Sequence, residues 1–286
     1  MLQRGFFSLA LAAALVALAQ PAAAQNFKGT PKRTILEYGP FPKAPPKSGL
    51  VTKEIEAETA GKCGNPAHSC LFYGGDFLYN PLYPPSLANG LANESTVNVS
   101  GYPYGAATWV PFTVPAGETW DVTGLFTNNL SAYGILDQGT EPTAVAYWSI
   151  NEEVFPGGAG VVVDSGTSPA TSSPTGRAAF DDYEYTIQVT GLSITLTPGT
   201  YWLAVVPICT NTADPYCGAG LFFLSDVEYL SSTPAHAFGP KQPMDAAYFD
   251  SPYFGLSFNP ANGPLGACAG QGCDAFSAGV LGKIVK

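Results

Sequence analysis

Basic residues are almost absent from the body of this chain. Of its 286 residues, the stretch from Cys63 to Gly282 holds only Arg177 and Lys241 as bases, against eighteen Asp and Glu, a net of −16. Nucleic-acid binding normally rests on clustered Lys and Arg, so such a body argues against it. Histidine is equally scarce, with His68 and His236 alone. A nucleophilic hydrolase needs a histidine between its nucleophile and an orienting acid. The chain also lacks a G-x-S-x-G elbow, an H-E-x-x-H pair and a P-loop. Both histidines lie among loop-forming residues and read as surface polar groups. After Ala19 no segment is apolar enough to span a bilayer, and no amphipathic-helix pattern appears.

What is present begins with a secretion signal. Arg4 precedes an unbroken apolar run from Phe6 to Ala19, and Ala22, Ala23 and Ala24 stand before Gln25. These parts predict a signal peptide over residues 1–24, cleaved after Ala24. The rival reading, a membrane anchor, needs a run of roughly 20 residues. The mature protein is therefore expected to be exported, to the periplasm or beyond. Residues 25–53 carry Lys28, Lys32, Arg33, Lys43, Lys47 and Lys53 among prolines. They read as an extended arm or linker, suited to an acidic partner or an anionic surface. Residues 54–286 read as one large domain.

The six cysteines fall into close pairs, Cys63/Cys70, Cys209/Cys217 and Cys268/Cys273, each within a loop rich in glycine or proline. In an exported chain this predicts three local disulfides that clip loops, although six cysteines allow fifteen pairings. Zinc is the alternative, and it would normally bring C-x-x-C spacing or nearby histidines.

Gly and Pro number 32 and 26, and Tyr, Phe, Thr and Val are plentiful, which suits strands separated by tight turns. Two strand-like runs within Trp109–Phe126 flank the turn Pro115–Glu118, with Trp120, Val122 and Phe126 expected on one face. A second unit, Tyr185–Val206, shows the same period of two, with Tyr185, Ile187 and Val189 and then Leu192, Ile194 and Leu196 in register. After Pro198 and Gly199, residues 201–206 are apolar on both faces and predict a central strand. Ala144–Ile150, Gly160–Val163 and Leu221–Leu230 are further strand candidates, while Ser165–Gly176 reads as a surface loop. The fold class that follows is all-β, an antiparallel β-sandwich of jelly-roll type with long disulfide-clipped loops.

The runs PFTVPAGETWDVTGLF (111–126) and LTPGTYWLAVVP (196–207) resemble the aG-x-W-x-V and pGtYyl-x-V strands of secreted bacterial β-sandwich modules, including pre-peptidase C-terminal domains. The resemblance covers about a third of the chain. It implies secretion, a sandwich fold and an accessory role, and it transfers no catalytic residue.

Two groups of residues are candidates for function. Tyr73, Phe77, Tyr79, Tyr83, Tyr102 and Tyr104, and later Tyr248, Phe249, Tyr253 and Phe254, lie among Gly, Asn and Pro. Aromatic faces beside Asn and Asp suit sugar rings; they also suit a protein partner, or simply burial over the sheet. The expected binding residues are Tyr73, Tyr79, Tyr83, Tyr102 and Tyr104, with an extracellular glycan or surface partner as ligand. Among the acids, Asp181, Asp182 and Glu184 offer oxygens for calcium, which would help hold the binding face; the same residues also read as solvated surface. Glu152/Glu153 and Asp226/Glu228 add the pairs that a glycosidase would require. The sequons at Asn93, Asn98 and Asn129 matter only in a glycosylating host. The reading reached is an exported binding or surface-interaction protein without classical catalytic machinery. A structural envelope protein or a carboxylate-dependent glycan-cleaving enzyme is the alternative.

Overall fold

The computed structural model describes residues 69–76, 90–93, 101–131, 144–179, 182–208, 222–225, 237–243, 246–252, 254–261 and 275–285. All of them fall in one unit, Gly49–Lys286. The expected signal segment 1–24 and arm 25–53 lie outside the described residues. So do His68, His236, Asp226 and Glu228. Of the six cysteines only Cys70 is described; Cys63, Cys209, Cys217, Cys268 and Cys273 lie outside.

The described chain is all-β and antiparallel. Its strands are β1 (Cys70–Tyr73), β2 (Gly90–Ala92), β3 (Ala107–Val114), β4 (Trp120–Ser131), β5 (Ala144–Glu152) and β6 (Val161–Ala179). They continue as β7 (Asp182–Leu196), β8 (Gly199–Ile208), β9 (Phe222–Ser225), β10 (Tyr248–Ser251), β11 (Leu256–Pro260) and β12 (Ala278–Ile284). Among the described residues no helix is long and apolar enough to cross a membrane. Hydrogen bonding links the strands in one path, β1-β12-β4-β7-β6-β5-β8-β3-β10-β11, with β9 beside β4 and β2 beside β9.

One strand carries the path from one half to the other. The first part of β6 pairs with β5 and the second with β7, and Ala170 is opposite both Ala144 and Val189. A strand that changes neighbour midway lets a continuous sheet turn a corner. The halves on either side of β6 then meet across the core. The Thr127 hydroxyl on β4 donates to the Val205 carbonyl on β8 (2.9 Å), and Phe72 on β1 stacks on Phe112 of β3 (5.8 Å between centroids). The segment Ser165–Gly176, expected as a loop, is instead the middle of this strand. Of its described side chains only Ala170 is buried, so no apolar period marks it in the sequence.

The turn at Pro115–Glu118 forms as predicted, with the Glu118 N–H donating to the Pro115 carbonyl (3.1 Å). It joins strands that are not neighbours, because β3 and β4 belong to opposite halves. Trp120 and Val122 enter the main core as expected, and Phe126 does not. The register shifts between Val122 and Gly124, so one extra β4 residue stands against β12 and reverses the parity. Leu125 takes the core position, and Phe126 packs with Tyr73 and Leu281 on the other face. In β7, Gly191 at φ +76° lets Tyr185, Ile187 and Val189 and then Ile194 and Leu196 all reach the core.

β8 lies between β5 and β3 and is buried on both sides, as its composition requires. Tyr201, Leu203 and Val205 face the main core, while Ala204 and Val206 join a second cluster with Tyr104, Ala107, Trp109, Val154 and Phe258. Within the main core a small polar group is satisfied internally. The Asn93 side chain donates to Asn129 Oδ1 (2.9 Å) and to the Val205 carbonyl (2.8 Å). The sequons at Asn93 and Asn129 are therefore buried against each other and closed to glycosylation, and Asn98 lies outside the described residues.

Candidate functional site

The second cluster leads outward into a cavity of about 560 Å³. Its walls come from the segment before β3 (Tyr102, Tyr104), from β3 (Trp109), from β5 (Tyr147), from β10 (Asp250) and from β11 (Phe258). Strand alternation supplies them. The residues Ala107 and Trp109 lie on the β3 face turned away from Val110 and Phe112, so the outer face of this half is apolar as well. Tyr104 and Tyr147 form one wall, with ring centroids 5.3 Å apart at 45°, and Trp109 and Phe258 form another, 5.4 Å apart at 43°.

A single buried carboxylate sits in this aromatic enclosure. Asp250 accepts the Tyr104 hydroxyl at Oδ2 (2.7 Å) and the Phe258 N–H at Oδ1 (3.3 Å). Burial raises its pKa above the ordinary 3.8, and these two donors oppose that rise without cancelling it. Tyr104 is held protonated by burial and by the neighbouring Asp250 charge. Burial raises Tyr147 too, with the Ser149 hydroxyl opposing. Trp109 is 2% exposed and its indole N–H has no hydrogen-bond partner, an uncommon state for a buried donor.

The backbone around the cavity is constrained. Phe258 adopts φ +42°, unusual for a bulky residue and costing on the order of 1–3 kcal/mol. It is held there by its N–H on Asp250 and by its carbonyl, which accepts the Gly157 N–H (3.3 Å). Gly157 at φ +87° closes the turn Phe155–Gly158, and Asn151 anchors that turn through the Ala159 carbonyl (2.8 Å). Tyr102, Phe155, Val162 and Phe254 are each more than half exposed, and Tyr102 and Val162 line the cavity.

Because Asp250 binds its proton more tightly when folded, its contribution to stability is complete below its unfolded pKa and is lost as pH rises through the higher folded value. Asp250→Asn removes that dependence. Urea titrations of both proteins from about pH 4 to pH 7 are expected to show the difference in stability moving steadily in favour of the variant. A constant difference would mean that the carboxylate is as well solvated folded as unfolded.

A second polar cluster stands elsewhere, where β1, β4, β6, β7 and β12 meet. The Tyr73 hydroxyl donates to Asp76 (2.7 Å) and accepts from Asn128 (3.0 Å). Asp76 pairs with Arg177 (2.9 Å), and Arg177 pairs with Glu184, which also accepts the Thr175 hydroxyl (2.7 Å). Burial alone would lower the Arg177 pKa, but the neighbouring carboxylates, Glu184 foremost and then Asp76, outweigh it and raise it. Glu184 is fully buried, and its second oxygen, Oε1, has no partner.

The expected binding residues are thus divided. Tyr102 and Tyr104 share the cavity, Tyr73 is buried in the polar cluster, and Tyr79 and Tyr83 lie outside the described residues. Of the expected calcium ligands, Asp181 lies outside the description, Asp182 begins β7, and Glu184 is engaged by Arg177, whose charge opposes a divalent cation there. Among the described residues no three His, Cys, Asp or Glu converge.

The expected disulfide clips divide in the same way. Cys70 is not a free thiol; it is disulfide-bonded, and every possible partner (Cys63, Cys209, Cys217, Cys268 or Cys273) lies outside the described residues. Its place corrects one expectation, because Cys70 is the first residue of β1, opposite Leu281 of β12, and not part of a loop. Both members of Cys209/Cys217 and of Cys268/Cys273 lie outside the described residues, so no described residue bears on those two pairings.

Sequence reasoning missed Trp109, Tyr147, Asp250 and Phe258. The available signals were aromatics on the supposedly solvated face of strands, and an acid set in the aromatic run YFDSPYF (248–254).

No family model matches the chain, and no curated protein does.

Proposed function

We propose that this is an exported, non-catalytic carbohydrate-binding protein whose site is the aromatic cavity between Tyr104, Tyr147, Trp109 and Phe258. The observation that carries the reading is the combination of aromatic walls with a few fixed polar groups. A pyranose offers apolar C–H faces to rings and hydroxyls to hydrogen-bonding edges. Asp250 offers acceptor oxygens, and Asn151 and Ser257 add polar edges. The volume, about 560 Å³, lies within the usual range for small-ligand sites. The strain at Phe258 supports it, since such backbone concentrates where a site is held in shape. The facing halves of the sheet are consistent with the sandwich of secreted accessory modules. Local disulfides would hold the loops, and calcium would act through Asp181 and Asp182.

The test is titration of the oxidised mature protein with a panel of soluble oligosaccharides, with calcium and with EDTA, while released reducing ends are assayed. Binding without release is expected, and Tyr147→Ala should weaken it about tenfold by removing one stacking wall. Binding that survives Tyr147→Ala and Trp109→Phe unchanged would place the site elsewhere. Release of sugar would replace this reading with a glycan-cleaving enzyme.

A further inference from the structure

The cavity's charge is unbalanced in a way that specifies its ligand further. Asp250 is 5% exposed, and among the described lining residues there is no Lys, Arg or His. Its two hydrogen bonds come from neutral donors, the Tyr104 hydroxyl and the Phe258 amide, so among the described residues no formal positive charge answers the carboxylate. The titratable groups that share the cavity are Tyr102, Tyr104 and Tyr147, and these supply no cation. Aromatic rings line the space beside the carboxylate, and a cation over an aromatic face is attracted by the ring quadrupole. A carboxylate enclosed by Tyr104, Tyr147, Trp109 and Phe258 is therefore poised for a compact positive charge. An anionic ligand would meet the carboxylate with nothing to offset the repulsion.

Resting on the carbohydrate reading above, we infer that the ligand is an amino sugar carrying a free protonated amine, which sits against Asp250 within the tyrosine walls. Ser257, exposed where it lines the cavity, offers a hydroxyl to the hydroxyls of the same sugar. A neutral hydroxyl beside the buried carboxylate separates an amino sugar from a simple alkylammonium ion. Acidic glycans such as uronates are excluded by the same carboxylate.

The experiment is calorimetric titration at pH 7 with four oligosaccharides of equal length: glucosamine oligomers, their N-acetylated counterparts, a neutral glucan and a uronate oligomer. The free-amine oligomer is expected to bind about ten- to a hundredfold more tightly than the N-acetylated one, with the uronate weakest. Asp250→Asn should abolish that preference while the folded state persists, as judged by its urea transition. Retention of the preference in Asp250→Asn would overturn the assignment to this carboxylate. Equal binding of the amine, N-acetyl and neutral oligomers would overturn the inference and leave the carbohydrate site standing. Binding of none of the four would overturn both.

Discussion

Arg177→Met is expected to lower stability by about 3–5 kcal/mol, the usual result of stripping one partner from a buried ion pair. The loss falls on Glu184 and not on Asp76, whose side chain is 19% exposed while that of Glu184 is 0%. Without the guanidinium, Glu184 keeps only the Thr175 hydroxyl, and its Oε1 already lacks a partner. Methionine approximates the length of the removed chain, so packing is largely kept and the electrostatic loss dominates. Glu184→Gln in the same molecule should recover much of the stability, because a neutral amide tolerates burial far better than a lone carboxylate. Urea midpoints of the two single variants and the double variant measure this directly. A loss under about 1 kcal/mol for Arg177→Met would show that water reaches Glu184 and that the pair is a surface contact.

Phe112→Ala is expected to cost a similar amount, about 3–5 kcal/mol. Its ring is fully buried and stands among three others: Phe72 at 5.8 Å, Trp120 at 6.2 Å and Tyr201 at 5.7 Å between centroids. Those partners belong to β1, β4 and β8, so one side chain joins both halves of the sheet. Truncating it leaves a cavity that rigid strands on both sides cannot close. Phe254→Ala is the matching control. That residue is 57% exposed, and its truncation should change stability by no more than about 0.5 kcal/mol. Thermal and urea unfolding of both variants test the pair, and similar losses would mean that the aromatic stack at Phe112 is not where the halves are held.

The candidate site was legible only in part. Tyr102 and Tyr104 stand among Gly and Pro, and aromatics in such a setting stood out as binding candidates. Trp109 and Tyr147 did not stand out, because they sit within strands and a strand aromatic ordinarily signals core. Asp250 was passed over because a single acid says nothing until its neighbours are known. Its significance comes from Tyr104, 146 residues earlier, and from the absence of a cation among the described residues that share its cavity. The same limit applies to Glu184, which the sequence places in an acidic run and the structure places on Arg177.

The sequence by itself determined the all-β character and most strand positions, because alternation of side chains with a period of two is a local property of the extended backbone. It also determined that β8 is central, since only a strand covered on both faces can be apolar on both. Only the tertiary structure decided which neighbour each strand takes. The turn at Pro115–Glu118 looks like a hairpin turn yet joins opposite halves, and Ser165–Gly176 within β6 reads as a loop yet connects them. Phe126 was assigned to the wrong face for the same reason. A bulge is a mismatch between two paired strands, and no single strand records how many residues its partner sets against it.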